Sequence, residues 1–381
     1  MRFSSKDYEY KERVTPDLSE KAFRIGEGRI SGYVSMFLGI SSFLAVLCYK
    51  FPSYLTTTDL RAVYDAEYLQ TILMVTMWVS LGFGLLTFIL NNKKRMGAVG
   101  ILFTVFGFML GGYQVPVGAV TPSPMALGLD WTILAFIASA ILFIFLEKVF
   151  PKHREQVIAR PEWSLDLSYF IFNHLLITAL LLVGNHFFNS VFSWAISSDL
   201  QAFVQSLPLW AQVILLMVCA DFVLYWSHRA YHEIPGLWKI HAIHHSVEYM
   251  DWLAGSRNHV IQTFSDRIIA IVPLYLIGAD KAALDIYVAF AAFQAVYVHA
   301  NVEIPTGFLK YIFVTPKFHH WHHSSQKPAI DTNYSVHLVL FDVLFRTYHM
   351  PKEHWPSHYG TVPRVPRSFW RQLVYPFRRG K

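Results

Sequence analysis

The apolar residues of this 381-residue chain fall into long runs rather than at amphipathic spacing. A membrane-spanning helix needs about 20 mostly apolar residues. Runs of that length occupy roughly 32–50, 69–91, 96–113, 130–149, 166–187 and 208–227. Two shorter runs follow at 264–278 and 283–298, parted by Gly278-Ala279-Asp280, which reads as a tight turn. These two fit a pair of thin spans or a re-entrant hairpin equally well. Strand-type alternation is scarce. The pattern predicts an all-α integral membrane protein, a multi-span helical bundle.

Composition agrees with this reading. Hydrophobic residues make up 54% of the chain and charged residues only 15%, against about a quarter charged in ordinary soluble domains. The net charge of +6 first suggests nucleic acid. The basic residues stand instead at the ends of apolar runs, where membrane topology puts them, so no nucleic-acid partner is expected. The N-terminal arm is basic. Loop 92–95 holds Lys93, Lys94 and Arg95, and loop 150–165 holds Lys152, Arg154 and Arg160. Loops 114–129 and 188–207 have no Lys or Arg, and the tail ends in Arg378, Arg379 and Lys381. This alternation predicts a cytosolic N-terminus, histidine region and C-terminus. The membrane would be the inner membrane in a bacterium or the endoplasmic reticulum in a eukaryote. Asn333-Tyr334-Ser335, formally a glycosylation sequon, would then face the cytosol and stay unmodified.

The charged start lacks the short apolar core of a signal peptide and reads as a retained arm. Cys48 and Cys219 both lie in apolar runs, which excludes a disulfide framework or a thiolate metal site. Composition breaks near residue 150. The expected organisation is a basic arm (1–30), a four-span membrane region poor in polar side chains (31–150), a catalytic region (151–350) and a basic tail (351–381).

Most of the candidate chemistry is histidine. His228 and His232 form HxxxH; His241, His244 and His245 form HxxHH; His319, His322 and His323 form a second HxxHH around His320. Residues at i, i+3 and i+4 share a helical face, so each motif is expected to aim its imidazoles at one point. Imidazole suits Zn, Cu, Fe and Ni. Eight such ligands exceed the four of one tetrahedral zinc and suit two ions, so the bundle is expected to carry a histidine-rich di-metal site on its cytosolic side. His320 falls on another face, toward the surface or behind the ligands. His259 and His299 are open singly, either ligands or ordinary polar groups. His153, His349, His354 and His358 read as solvated loop residues. His174 and His186, in or beside a span, read as hydrogen-bonded or headgroup contacts.

Ionisable residues inside a span are functional candidates. Asp221 precedes His228 by seven residues, about two turns, and could hold an imidazole N–H or pair with another helix. Glu233 follows His232 directly and reads as an outer base or a surface charge. These are the catalytic-side candidates.

At these residues the chain resembles the fatty acid hydroxylase/sterol desaturase superfamily, in particular its alkylglycerol monooxygenase-like and bacterial branch. The resemblance spans roughly 215–350. It rests on Asp221 through His232, His241 through Ser246, Arg257-Asn258-His259, Thr315 through Ser324, Asn333-Tyr334, and Asp342 through Tyr348. It implies a non-haem di-iron site, two Fe ions, on the cytosolic ends of a membrane bundle, using O2 to hydroxylate or desaturate a lipid. The ligands it implies are His228, His232, His241, His244, His245, His319, His322 and His323, with His259 and His299 added. Two departures stand out. Glu303 occupies the place of a second histidine after His299, and Arg346 stands where the closing motif usually has glycine.

Independently of the resemblance, oxidising an unactivated C–H bond requires cofactor redox chemistry. The chain shows neither a GxGxxG nucleotide fingerprint nor a CxxCH haem attachment. Electrons must come from an external donor: a reductase, a ferredoxin, a cytochrome or a pterin. The competing classes are a divalent-metal transporter and a zinc hydrolase. Transporters place such ligands near mid-membrane, whereas these lie at span ends. A zinc hydrolase needs only three ligands, and HExxH is absent.

Overall fold

The computed structural model describes residues 29–63, 65–116, 128–352, 354–362 and 364–378; the side chains of 29, 58–60, 66 and 177–189 are not part of that description. Most of the N-terminal arm, most of loop 114–129 and the side chain of His186 therefore lie outside it. Among the described residues the regular structure is helical, with three isolated β-bridges and no strand.

The helices are α1 (Arg29–Lys50), α2 (Pro52–Leu55), α3 (Thr58–Val63), α4 (Ala66–Leu90), α5 (Arg95–Met109), α6 (Leu129–Val149), α7 (Trp163–Phe192) and α8 (Ser198–Ser206). They continue with α9 (Leu209–Glu233), α10 (Pro235–His245), α11 (Val260–Ile277), α12 (Lys281–Tyr297), α13 (Pro316–His322), α14 (Leu340–Leu344) and α15 (Phe369–Val374). Among the described residues six helices are long and apolar enough to cross a membrane by length and composition: Ile30–Lys50, Glu67–Leu90, Arg95–Gln114, Leu129–Val149, Leu209–Glu233 and Val260–Ile277. The run at 264–278 is thus part of a helix of spanning length, while α12 is 17 residues long.

α1, α4 and α5 form a tight trio. In lipid the hydrophobic effect does not drive helices together, so small residues and interhelical hydrogen bonds take over. A Cβ on Gly100 would collide with Ser35, and one on Gly39 with the Gly100 carbonyl. Ser35 Oγ donates to the Ser80 carbonyl at 2.8 Å, Ser80 Oγ returns a bond to the Ser35 carbonyl at 2.8 Å, and Ser80 and Thr104 hydroxyls meet at 2.8 Å. Ser31, Ser35, Ser80, Thr87 and Thr104 thus make contacts between helices. Large side chains such as Trp78, Ile89, Ile141 and Phe145 point outward, as a lipid-facing surface requires.

α6 joins this trio to the histidine-rich part. Phe136 packs on Phe170 and Trp252, with centroids 5.2 and 5.6 Å apart. The Glu147 carboxylate accepts from the Trp252 and Asn301 amides at 2.7 and 2.9 Å. The composition break at 151–163 therefore falls between two helices, α6 and α7, that share one core. Pro235 starts α10 directly after α9; proline is pre-organised for a first helical position. α13 begins the same way at Pro316, with Thr315 Oγ1 accepting the Phe318 amide. α15 closes over α7 through Phe369, 4.9 Å from Tyr169.

Candidate metal centre

Among the described residues nine histidines converge in two adjacent clusters. His228, His232, His241, His245 and His322 form one; His244, His299, His319 and His323 form the other. Seven are almost wholly buried, and His228 and His232 partly so.

Each HxxHH motif is split between the clusters, contrary to the expectation that all three imidazoles share one target. His241 and His245 go to the five-histidine cluster while His244 crosses to the other; His319 and His323 go to the four-histidine cluster while His322 crosses back. Helix geometry supplies the reason. At about 100° per residue, i and i+4 diverge by only about 40°, whereas i+3 and i+4 differ by about 100°. α10 and α13 thereby stitch the two clusters together. His245 and His323, one from each cluster, stack at 4.4 Å.

The imidazoles turn their Nε2 atoms toward one another, and in six of the nine an Nδ1 partner leaves Nε2 unprotonated. Nδ1 of His228 donates to the Tyr334 carbonyl (2.7 Å), His244 to Arg257 (3.2 Å), His299 to Ala295 (2.8 Å) and His322 to Thr332 (2.9 Å). His241 Nδ1 donates to the Gln262 side-chain oxygen at 2.9 Å, and His232 Nδ1 lies 3.4 Å from the Asp331 carboxylate. A carbonyl cannot donate, so Nδ1 carries the proton and Nε2 keeps a lone pair. Yet Nε2 of His241 lies 3.0 Å from those of both His228 and His245. His245 Nε2 also lies 3.0 Å from His322 and 3.2 Å from His232. In the second cluster His299 Nε2 lies 3.2 Å from His244 and 3.0 Å from His319, and His319 lies 3.1 Å from His323.

Between His241 and His228, and between His299 and His244, two lone pairs meet and make no hydrogen bond, and a single Nε2 proton on His245 could serve only one of its three neighbours. Nitrogens sharing an ion at about 2.0–2.1 Å stand roughly 2.8–3.4 Å apart, between right-angle and tetrahedral geometry. The residues therefore fit a cation in each cluster. Burial, reinforced by neighbouring imidazoles, holds His241, His245 and His322 well below the usual histidine range, and likewise His244, His319 and His323. Burial brings His299 down to about 4. Neutral imidazoles are the form that binds metal.

Other candidates lie elsewhere. His259 belongs to neither cluster: its Nδ1 caps α11 by accepting the Ile261 amide at 3.2 Å, and its Nε2 faces the Leu373 carbonyl at 3.0 Å. Asp221 does not hold an imidazole. Its oxygens accept the amides of Val336, His337 and Leu338 at 3.0, 2.9 and 2.8 Å, fixing the loop behind Tyr334. Glu233 is half-exposed and pairs with Arg229 at 2.7 Å. Glu303 pairs with Lys152 and accepts from Trp355 Nε1 at 2.9 Å. His320 does face away from both clusters, but it is buried rather than at the surface, between the Tyr359 hydroxyl (2.9 Å) and the His299 carbonyl (3.2 Å). His349 is not simply solvated: its ring packs on Trp321 at 5.1 Å. His174 makes the ordinary hydrogen bond foreseen for it, to the Phe170 carbonyl.

Several positioning groups were not singled out from sequence: Gln262, Asp331, Asp342 and the carbonyl of Arg257. Gln262 had a readable signal, a polar residue in an apolar helix. Carbonyl partners have none, since every residue carries one. The Asn333 amide donates to the Phe318 and His349 carbonyls at 3.0 and 2.6 Å and is fully buried, which keeps the sequon from modification whichever side it faces.

Comparison with known proteins adds to this geometry. Residues 213–347 match the fatty acid hydroxylase family model. Over 172 residues the chain is 39% identical to an ornithine lipid hydroxylase of Rhizobium tropici, covering 45% of this chain and 52% of that protein. It is 30% identical over 149 residues to an alkylglycerol monooxygenase of Caenorhabditis elegans and 31% over 133 residues to that of Homo sapiens. Those two alignments cover 39% and 35% of this chain and 29% of each relative. The chain thus spans about half or less of the relatives it matches. No solved structure matches it. All nine clustered histidines fall inside the stretch that matches the fatty acid hydroxylase family model.

Proposed function

We propose that the protein is a membrane-bound non-haem di-iron oxygenase that hydroxylates or desaturates a C–H bond of a lipid. The observation that carries this reading is the pair of buried clusters whose Nε2 atoms face one another at 3.0–3.2 Å. The relatives, named as lipid hydroxylases and monooxygenases, support the reaction class. The metal-transporter alternative is not favoured by them.

His228, His232, His241, His245 and His322 would hold one ion, and His244, His299, His319 and His323 the other. Two iron ions bound there would supply the redox chemistry that O2-dependent attack on a C–H bond requires and that side chains lack. The chain's own part is to bind and orient. Backbone carbonyls fix the tautomers of His228, His244, His299 and His322, and a hydrogen-bonded outer shell of this kind raises ligand basicity. Tyr334, fully buried, packs on His228, His232 and His322 and shields them from water. For hydroxylation the balance is R–H + O2 + 2 electrons + 2 H+ giving R–OH + H2O, so a separate reductase, ferredoxin, cytochrome or pterin must deliver two electrons. In this proposal the N-terminus, clusters and C-terminus face the cytosol, in a bacterial inner membrane or a eukaryotic endoplasmic reticulum. Residues 1–30 form a basic arm, 31–150 a membrane region, 151–350 the catalytic region and 351–381 a basic tail.

The test is metal analysis of the full chain purified without oxygen, followed by lipid profiling of a deletion strain. About two iron ions per chain, and a lipid that loses its hydroxyl or double bond in the deletion, support the proposal. A single zinc, or an unchanged lipid profile, overturns it.

A further inference from the structure

The loop Asp251–Asn258 touches the four-histidine cluster twice. The Arg257 carbonyl accepts the His244 Nδ1 proton at 3.2 Å. Gly255 lies flush against His299: a Cβ there would sit 2.7 Å from His299 Nδ1 and 2.9 Å from the Ala295 carbonyl that takes its proton. Among the described residues, the Nδ1 partners in the five-histidine cluster come from outside this loop. Those partners are Tyr334, Gln262, Thr332 and Asp331.

The loop is in turn gripped from outside the stretch that matches the fatty acid hydroxylase family model. Asp166, in the first turn of α7, is fully buried between two guanidinium groups. One of its oxygens meets Arg257 Nε and the other Arg160 Nη2 at 2.6 Å. Arg160 continues to both oxygens of Asp251 at 2.8 and 2.6 Å, and Asp251 Oδ1 accepts the Ala254 amide at 2.9 Å. Two turns along α7, Asn173 Nδ2 donates to the carbonyls of Ser256 and Asn258, both at 3.1 Å. These bonds hold both flanks of Gly255 and the residue whose carbonyl orients His244.

We propose that α7, through Asp166 and Asn173, positions the four-histidine cluster separately from the five-histidine cluster, so that these two residues set the affinity of one metal ion only. The inference rests on the reading above that each cluster holds an ion. The desolvation cost of a buried ion network can offset its attraction, so it is weak evidence for net stability, and supporting partners of metal-bound histidines are worth about 10- to 100-fold in metal affinity. Asp166, Asn173 and Arg160 lie outside 213–347, so the matched stretch alone lacks this support.

The experiment strips metal from the full-length protein in detergent and titrates zinc alone into the wild type, Asp166→Asn and Asn173→Ala. The Asn173→Ala change keeps every ion pair and guards against misfolding of the first variant. Both variants are expected to bind one zinc ion as the wild type does and the other about 10- to 100-fold more weakly, with Asn173→Ala still unfolding cooperatively at a somewhat lower melting temperature. In a His322→Ala background, which damages the five-histidine cluster, Asn173→Ala must weaken the ion that remains. Two unaltered affinities, or equal weakening of both ions, overturns the inference. A wild type that takes up fewer than two zinc ions overturns instead the two-ion reading beneath it.

Discussion

His228 donates its Nδ1 proton to the carbonyl of Tyr334, 106 positions later in the chain, at 2.7 Å. Tyr334 does not hold that carbonyl in place by itself. Its amide is bound by Asp342 Oδ1 at 2.8 Å, the next amide, of Ser335, by Asp342 Oδ2 at 2.8 Å, and the following three by Asp221. Two buried carboxylates thus fix one irregular segment, and that segment fixes an imidazole.

Asp342→Ala leaves the Tyr334 and Ser335 amides buried without an acceptor. Hydrogen bonds to a charged group are worth about 1.5–3 kcal/mol each. The variant is expected to melt earlier and to hold less metal in the five-histidine cluster. Thermal unfolding and metal-to-protein ratio measure the two effects; an unchanged ratio would show that His228 does not depend on this support.

Asp221→Asn tests the same segment from the other side. The amide keeps one acceptor oxygen but turns a donor toward at least one of the three amides it faces. A loss of about 1.5–3 kcal/mol follows, read by thermal unfolding in detergent. If Asp221 instead held an imidazole, the same change would alter metal content at unchanged stability.

His259 and His299 separate clearly. His299→Ala removes one of four imidazoles and is expected to lower metal content by about one ion per chain, whereas His259→Ala removes a helix cap and is expected to cost about 0.5–2 kcal/mol with metal content intact. Elemental analysis of both variants decides; metal loss in His259→Ala would contradict the geometry.

Arg346 has φ +61°, a conformation that costs a side-chain-bearing residue about 1–2 kcal/mol. Glycine avoids that cost but loses some of the gain to unfolded-chain entropy. Arg346→Gly is expected to stabilise by roughly 0.5–1 kcal/mol, seen as a higher melting temperature. A lower one would reveal an unrecognised contact of the guanidinium.

The helices were legible because their signals are local. Apolar runs of spanning length mark α1, α4, α6 and α9, and Pro235 and Pro316 mark where α10 and α13 begin. The histidines were legible because i, i+3 and i+4 spacing is itself a helical statement. The allotment of ligands was not. His259 and His299 look alike in sequence, each isolated and near a span end, yet one caps a helix and the other joins a cluster. What separates them is distance to residues far along the chain: Leu373 for His259, His244 and His319 for His299.

The sequence by itself therefore determined an all-helical membrane chain with enough imidazoles, at the right spacing, for two ions. Tertiary structure alone decided that each HxxHH divides between two clusters, that Asp221 holds a backbone loop rather than an imidazole, and that α7 reaches His244 through Asp166 and Arg257. Periodicity is a property of consecutive residues and is written in the sequence. Which lone pairs meet depends on how α9, α10, α12 and α13 pack together, and that arises only when distant segments are brought within a few ångströms.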